Sequence, residues 1–302
     1  MRLNQIRDFV TVVESGSIRA AARKLGVSQP AITKSVRGLE AELHSRLMQR
    51  TPHGIVPTAS GRAFFARARV AQAELRKGEE EVTHLSGGES AGSVAFGIGP
   101  VATISIVPEA ITRFRQRHPR AHIRIVEGYA STFLPLIRDG TLDFALAIRP
   151  DAKADPALTF RPLFRIDYAV VARKGHPLRD ARSLTELRNA SWLNVAPLGS
   201  SSGALDQAFS SAGLTSSQQT IRCDSYHVAL TLLAKTDMLS ILARRMLTDS
   251  PARELLQQIP VAEQMPSRTV GIFTRTDSPL TSIAAEMAKA VTLIARQIAK
   301  VS

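Results

Sequence analysis

A single cysteine, Cys223, excludes an intrachain disulfide framework and a cysteine metal site. It reads as a small buried hydrophobe, and a reversible disulfide would need a second thiol from a partner subunit. No apolar run approaches membrane-spanning length and no secretory signal is visible at the N-terminus, so the expected compartment is the cytoplasm, with no membrane partner. The seven histidines form no H-E-x-x-H or related metal pattern, and no metal or cofactor is expected. His118 and His176 each precede a proline in a turn, and neither adjoins a nucleophile. Ser200-Ser201-Ser202-Gly203 could suggest a nucleophile or a phosphate cradle, but it lacks both the G-x-S-x-G elbow and the Walker spacing. An enzyme of the α/β class is therefore a minor alternative. Repeats and low-complexity tracts are also missing.

What is present is basic charge, unevenly placed. The net charge of +13 points to an anionic partner. Residues 1–77 hold 14 Lys and Arg against 5 Asp and Glu, whereas residues 78–302 hold 25 against 21. A generally basic solvated surface does not predict that asymmetry.

The basic quarter contains Ser17–Leu43, which reads as two helices joined by a tight turn. Ser17 caps the first, and Ala21, Ala22 and Leu25 give it a small apolar face. Gly26 sits where the helix ends in the left-handed region. Ser28 caps the second, with Pro30 in its first turn, where a missing N–H costs nothing. Ile32, Val36, Leu39 and Leu43 recur at the helical period and bury one face, leaving Gln29, Thr33, Lys34 and Arg37 outward. A helix of this kind fits the DNA major groove: Gln pairs with adenine, and Lys or Arg with guanine. The alternative on spacing alone is an ordinary helical hairpin with a solvated face.

A first helix over 3–14 (Leu3, Ile6, Val10, Val13, with Phe9 beside them) supplies packing, and Gly16 ends it. Residues 47–57 read as a two-stranded wing with Gly54 at its tip, from which Arg50 and His53 could reach phosphate or the minor groove. Thr58 caps a long helix to about Ser86. Phe64, Ala68, Ala71, Leu75, Gly78, Val82 and Leu85 form an a/d seam over three heptads, a pattern that favours pairing with a second long helix. Gly87, Gly88 and Gly92 mark a hinge.

Beyond the hinge, strands and helices alternate, which implies a mainly parallel sheet with covered faces and enough units for two lobes. Strands are expected at 93–98, 121–127, 142–148, 166–172, 191–196, 219–223, 238–242 and 269–274. Helices are expected at 104–117, 131–139, 183–189, 203–213 and 225–235, with a last one capped by Ser278–Pro279.

The run AAARKLGVSQPAITKSVRGLEAEL (20–43), then LMQRTPHGIVPTASG (47–61), then a long helix, resembles the LysR-type transcriptional regulators, and RDGTLDFALAI (138–148) is similar to that family's effector domain. The resemblance covers the whole chain. It implies an all-α winged helix-turn-helix (1–58), a dimerising linker helix (59–86), a hinge (87–92) and an α/β two-lobed, periplasmic-binding-protein-like effector domain (93–302). Lobe I would take about 93–162 and 268–302, and lobe II about 163–267. Two dimers would form a tetramer on double-stranded promoter DNA, with RNA polymerase left open as a further partner. The DNA-contacting roles fall on Ser28, Gln29, Pro30, Thr33, Lys34 and Arg37, with Ser17, Arg19, Arg50 and His53 on the backbone.

The effector pocket is expected between the lobes, at the carboxyl ends of strands. Candidates are Pro100, Val101, Ala102 and Thr103; Ser131 and Thr132; Arg149; Ser200, Ser201 and Ser202; and Asp224 and Tyr226. Helix N-termini facing one cleft favour an anion, and Arg149 could pair with a carboxylate or sulfonate. Many family members place a hydroxyl residue where this chain has Val101, which points to an apolar or aromatic body bearing an acid group. A sequence-independent DNA-compacting protein is the other alternative, though it leaves a large sensor domain unexplained.

Overall fold

The computed structural model describes residues 1–52, 54–86, 92–151, 153–196, 203–215 and 220–300. The chain divides into two compact units, Met1–Ser90 with Arg138–Thr141, and Ala91–Ile137 with Leu142–Ser302. Among the described residues no helix is long and apolar enough to cross a membrane.

The first unit comprises α1 (Leu3–Ser15), α2 (Ile18–Leu25), α3 (Gln29–Glu42), a β1–β2 wing (Met48–Thr51, Gly54–Pro57) and α4 (Ala59–Leu85). Phe9, Val12, Ala21, Ile32, Leu39 and Leu47 are buried together. Gly16 and Gly26 end α1 and α2 at φ +63° and +66°, a conformation that costs a β-carbon-bearing residue about 1–2 kcal/mol. The Ser17 and Ser28 hydroxyl oxygens accept the backbone N–H of Ala20 and Ala31. The wing is held twice. Ile55 N–H donates to Gly16 O, and a Glu40 carboxylate oxygen accepts both Leu47 N–H and Met48 N–H.

The long-helix seam divides into two functions. Phe64 packs on Phe9 with ring centroids 5.5 Å apart, and Ala68 is buried in the same core. These two positions close the first unit rather than offering themselves to a partner helix, because α4 begins beside α1. From Ala71 to Val82 the seam is uncovered, with Leu75 46% and Val82 65% exposed.

The second unit is built on a sheet that, among the described residues, has nine strands in the order β4-β3-β5-β11-β6-β9-β7-β8, with β10 also paired to β6. The strands are β3 (Ser93–Ile98), β4 (His122–Glu127), β5 (Phe144–Ile148), β6 (Leu158–Arg173), β7 (Trp192–Val195), β8 (Thr220–Cys223), β9 (Leu239–Ala243), β10 (Leu256–Ile259) and β11 (Ser267–Arg275). Helices α5 (Pro100–Ser105), α6 (Val107–Arg117), α7 (Ala130–Arg138), α8 (Ala204–Ser211), α9 (Tyr226–Lys235) and α10 (Ser282–Lys300) cover it. One lobe packs β3, β5, α6 and α10 around Phe96 and Phe144, stacked at 5.1 Å. The other packs β6, β9 and α8 around Trp192 and Phe209, edge to face at 5.1 Å.

The sheet is mixed rather than mainly parallel. The ladders β3/β4, β3/β5, β7/β8 and β7/β9 are parallel, whereas β11/β5, β11/β6, β6/β9 and β10/β6 are antiparallel. The chain crosses between lobes on strands, not on helices, so a βαβ count misjudges the centre. The strand expected at 166–172 runs from Leu158, through Pro162, which faces Gly271 beside a bulge. A β-carbon on Gly271 would lie 2.4 Å from Arg161 O, so only glycine allows this closeness.

Other expectations also change. Residues 183–189 are not a helix but successive turns, in which Leu187 N–H bonds Leu184 O and Arg188 N–H bonds Thr185 O. Burying Leu184 and Leu187 needs only that spacing. The helix expected at 104–117 begins at Pro100 and breaks at Ile106, where Pro108 supplies no N–H. The last helix is capped by Thr281, whose hydroxyl oxygen accepts Ala284 N–H, rather than by Ser278–Pro279. Strand β10 carries no alternating pattern and was not foreseen.

Candidate functional site

The outward face of α3 forms a shallow concavity of about 910 Å³ lined by Gln29, Pro30, Thr33, Lys34, Arg37 and Gly38. Five of these six are sequence candidates; the sixth, Gly38, is where α3 passes α1, and a β-carbon there would lie 3.0 Å from Gln5 Nε2. Ile32, Val36 and Leu39 bury the other face and fix the helix rotation, so Gln29, Lys34 and Arg37 are exposed together. The Thr33 hydroxyl donates to Gln29 O, leaving its lone pairs outward. Ser17 and Ser28 use oxygen lone pairs as caps, so each O–H proton stays available to a phosphate oxygen. Arg19 and Arg50 are exposed at the start of α2 and on the wing. His53 lies outside the described residues.

The second site is in the second unit. Gly99 N–H bonds Leu146 O and Gly128 N–H bonds Ile98 O, which gathers the loops after β3 and β4 at one end of the sheet. Arg149 leaves β5 with its N–H on Thr269 O and its guanidinium 5.5 Å from the Phe160 ring centroid. Val101 and Ala102 are buried among the apolar side chains of the lobe core. The Thr103 hydroxyl donates to Gly99 O; Ser131, Thr132 and Asp224 are exposed. Ser200, Ser201 and Ser202 lie outside the described residues. Cys223 is half-buried, its thiol donating to Ser225 O at 3.2 Å.

The residues missed by sequence reasoning are Tyr129 and Tyr168. With Tyr226 they are all the tyrosines of the chain. Burial pushes the phenols of Tyr129 and Tyr168 up to about 12 and that of Tyr226 well above 10; Tyr168 raises both of the others further, and Tyr129 also raises Tyr226. The Tyr129 and Tyr226 hydroxyls and Asn194 Oδ1 are buried without a hydrogen-bond partner. Orphaned polar atoms of this kind are costly unless a ligand or water completes them. The available signal was the Gly128-Tyr129 pair just after a strand end.

The shifts carry a sign. Unfolded phenols ionise near 10. The folded state prefers the neutral phenols, so their contribution to stability is whole below pH 10 and is lost as pH rises towards about 12. Phenolate absorbance followed against pH should show no step near 10 while Trp192 fluorescence is native. Three phenolates appearing near pH 10 in the folded protein would mean that the cluster is solvated.

Two family models match the sequence: "Bacterial regulatory helix-turn-helix protein, lysR family" over residues 3–62, and "LysR substrate binding domain" over residues 87–292. The HTH-type transcriptional regulator GalR of Pseudomonas putida is 30% identical over 273 residues, covering 90% of this chain and 68% of that protein. The regulator TdcA of Escherichia coli is 28% identical over 265 residues, covering 85% and 82%. Among solved structures, a full-length OxyR variant of Pseudomonas aeruginosa superposes with a TM-score of 0.69 at 21% identity, covering 97% and 95%. The LysR family regulator CbnR gives 0.68 at 19%, covering 98% and 99%, and 0.68 again in complex with its target DNA. At these identities the structures speak for the fold.

Proposed function

The chain belongs to the LysR family of transcriptional regulators, with an effector-binding domain, and on that premise we propose that α3 reads promoter DNA under the control of a small anionic effector. The observation that carries the reading is the α3 concavity, where Gln29, Thr33, Lys34 and Arg37 converge on one open face. Gln29 and Arg37 are assigned to base edges, and Lys34 to a base or phosphate. Ser17, Arg19 and Arg50 are assigned to the backbone. The relatives named above are transcriptional regulators, and we read this chain as one rather than as an enzyme.

The effector is assigned to the cleft end of the lobes. The N-termini of α7, α8 and α9 favour negative charge there, and Arg149 offers a guanidinium. The Tyr129 and Tyr226 hydroxyls can donate to a carboxylate, and the rings suit an aromatic or aliphatic body. Self-assembly has two surfaces in support: the bare seam at Leu75 and Val82, and Ile125 and Ile221 exposed on the edge strands β4 and β8. Two distinct self-contacts are what a tetramer built from two dimers requires. An effector then acts by binding one lobe arrangement better than another, and shifts the equilibrium by that difference alone.

The test is promoter binding across a range of salt, with random DNA alongside. Gln29→Ala should cost about 1–3 kcal/mol on promoter and little on random DNA. Lys34→Ala should weaken binding and, if phosphate is its target, lower the salt slope by about one. Equal affinity for promoter and random DNA would instead favour a sequence-independent DNA-binding protein. Unchanged binding by both variants would remove the assignment of α3.

A further inference from the structure

The effector unit holds a second cavity, of about 630 Å³, that none of the assignments above uses. Its walls come from the crossing strands β6 and β11, from β10 and the loop that follows it, from the turn of helix at Arg244–Leu247, and from Ala299 in the last turn of α10. Tyr168 is the one wall residue shared with the phenol cluster. The size is that of an ordinary small-molecule site.

Its charged groups are arranged unusually. Glu263 uses one carboxylate oxygen to accept Leu184 N–H at 2.7 Å, and the other, Oε2, is buried with no partner. Two guanidiniums line the same cavity, and neither completes it. Arg165 donates to the Ser267 hydroxyl, and Arg244 meets no acceptor among the described residues. Asp167 adds a second carboxylate to the wall, and Gln258 a neutral amide. A buried carboxylate oxygen without a donor is costly, and two cations lining the same cavity without closing on it leave room for something between. Arg165, Arg244 and Asp167 are exposed at the mouth of the cavity, so a ligand entering from solvent meets their charges before it reaches the buried Glu263 oxygen.

We infer that this cavity binds a zwitterionic amino-carboxylate. Its ammonium donates to Glu263 Oε2, with Asp167 adding negative charge, and its carboxylate accepts from Arg165 and Arg244. A purely anionic ligand would meet two carboxylates, and a purely cationic one two guanidiniums, so each singly charged analogue loses on one side. Because the walls include both crossing strands and the end of α10, occupancy bears on the relative setting of the lobes. The site would act beside the effector cleft, and does not depend on what that cleft binds.

The experiment is calorimetric titration of the full-length protein with glycine, 4-aminobutyrate and 6-aminohexanoate, and with hexanoate and hexylamine as singly charged controls. At least one zwitterion should bind saturably, about tenfold or more tighter than either control, since each charge-assisted hydrogen bond lost is worth roughly that much. Arg244→Ala and Glu263→Gln should each weaken it by about 10–100-fold. Glutamine keeps the acceptor for Leu184 N–H, so Glu263→Gln removes the charge without removing that bond. Arg149→Ala, which strips the cation from the effector cleft, should leave this binding within about twofold. No zwitterion binding up to roughly 10 mM, or binding indifferent to both cavity variants, would overturn the assignment. Binding lost in Arg149→Ala alone would also overturn it, by placing the ligand in the cleft instead.

Discussion

Gly61→Ala is expected to abolish promoter binding while leaving the effector unit folded. Gly61 lies in the first turn of α4, where Thr58 accepts its N–H and in turn donates its own N–H to Leu47 O. A β-carbon at Gly61 would lie 1.8 Å from Leu47 O and 2.8 Å from Leu47 C, and both are backbone atoms with no rotamer to escape into. Helix propensity alone predicts the opposite sign, a gain of about 1 kcal/mol for alanine over glycine. The collision wins, because relieving it moves either the start of α4 or the strand carrying the wing, at a cost of about 3 kcal/mol or more. The single tryptophan makes the two units separable. Trp192 is fully buried in the second unit, its indole N–H donating to Leu187 O. Trp192 fluorescence should therefore show an unchanged denaturant transition, while far-ultraviolet dichroism loses the earlier part of its signal. Native promoter affinity in Gly61→Ala would show that the wing and α4 can separate without cost.

The second large effect is expected from charge on the uncovered seam of α4. Leu75 and Val82 are seven residues apart, and so share one face of the helix. Both are too exposed to hold their own unit together, so Leu75→Glu with Val82→Glu should leave the protomer's fold intact. In the assembly we propose, the substitutions place carboxylates in an apolar helix pair, where charge is costly. Sedimentation mass should halve. Promoter affinity should fall by about 100-fold or more, since a second reading head adds avidity of that order without any new contact. Full mass with full affinity in the double variant would sink the proposed role of α4 in pairing.

Much of the reading head was legible in the sequence because its determinants are local. Ser17, Gly26, Ser28 and Pro30 act within a few residues of themselves, and the Ile32–Val36–Leu39 period sets which face is left outward. The effector unit was legible only in part. Single strands and helices were found where their apolar patterns are continuous. The mixed centre of the sheet was not, because a strand does not encode the direction of its neighbour, and because Pro162 masks the first half of β6. The place of Val101 and Ala102 just after β3 predicts ligand contact, but a position along the chain does not say which way a side chain turns, and on α5 both are packed into the core.

By itself, the sequence determined the class of the protein, the residues that face outward on α3, and a long helix with a repeating apolar seam. The class rests on the resemblance of the 20–43, 47–61 and 138–148 runs to a known family, and the other two on the helical period, all of them properties of the linear chain. Tertiary structure decided the rest. It assigned Phe64 and Ala68 to their own unit and left Leu75 and Val82 bare. It brought Tyr129, Tyr168 and Tyr226 together from positions up to 97 residues apart. It set Glu263 in one cavity with Arg165 and Arg244. Such groupings depend on which distant strands pair, and that choice is made by the packing of the whole core rather than by any stretch within it.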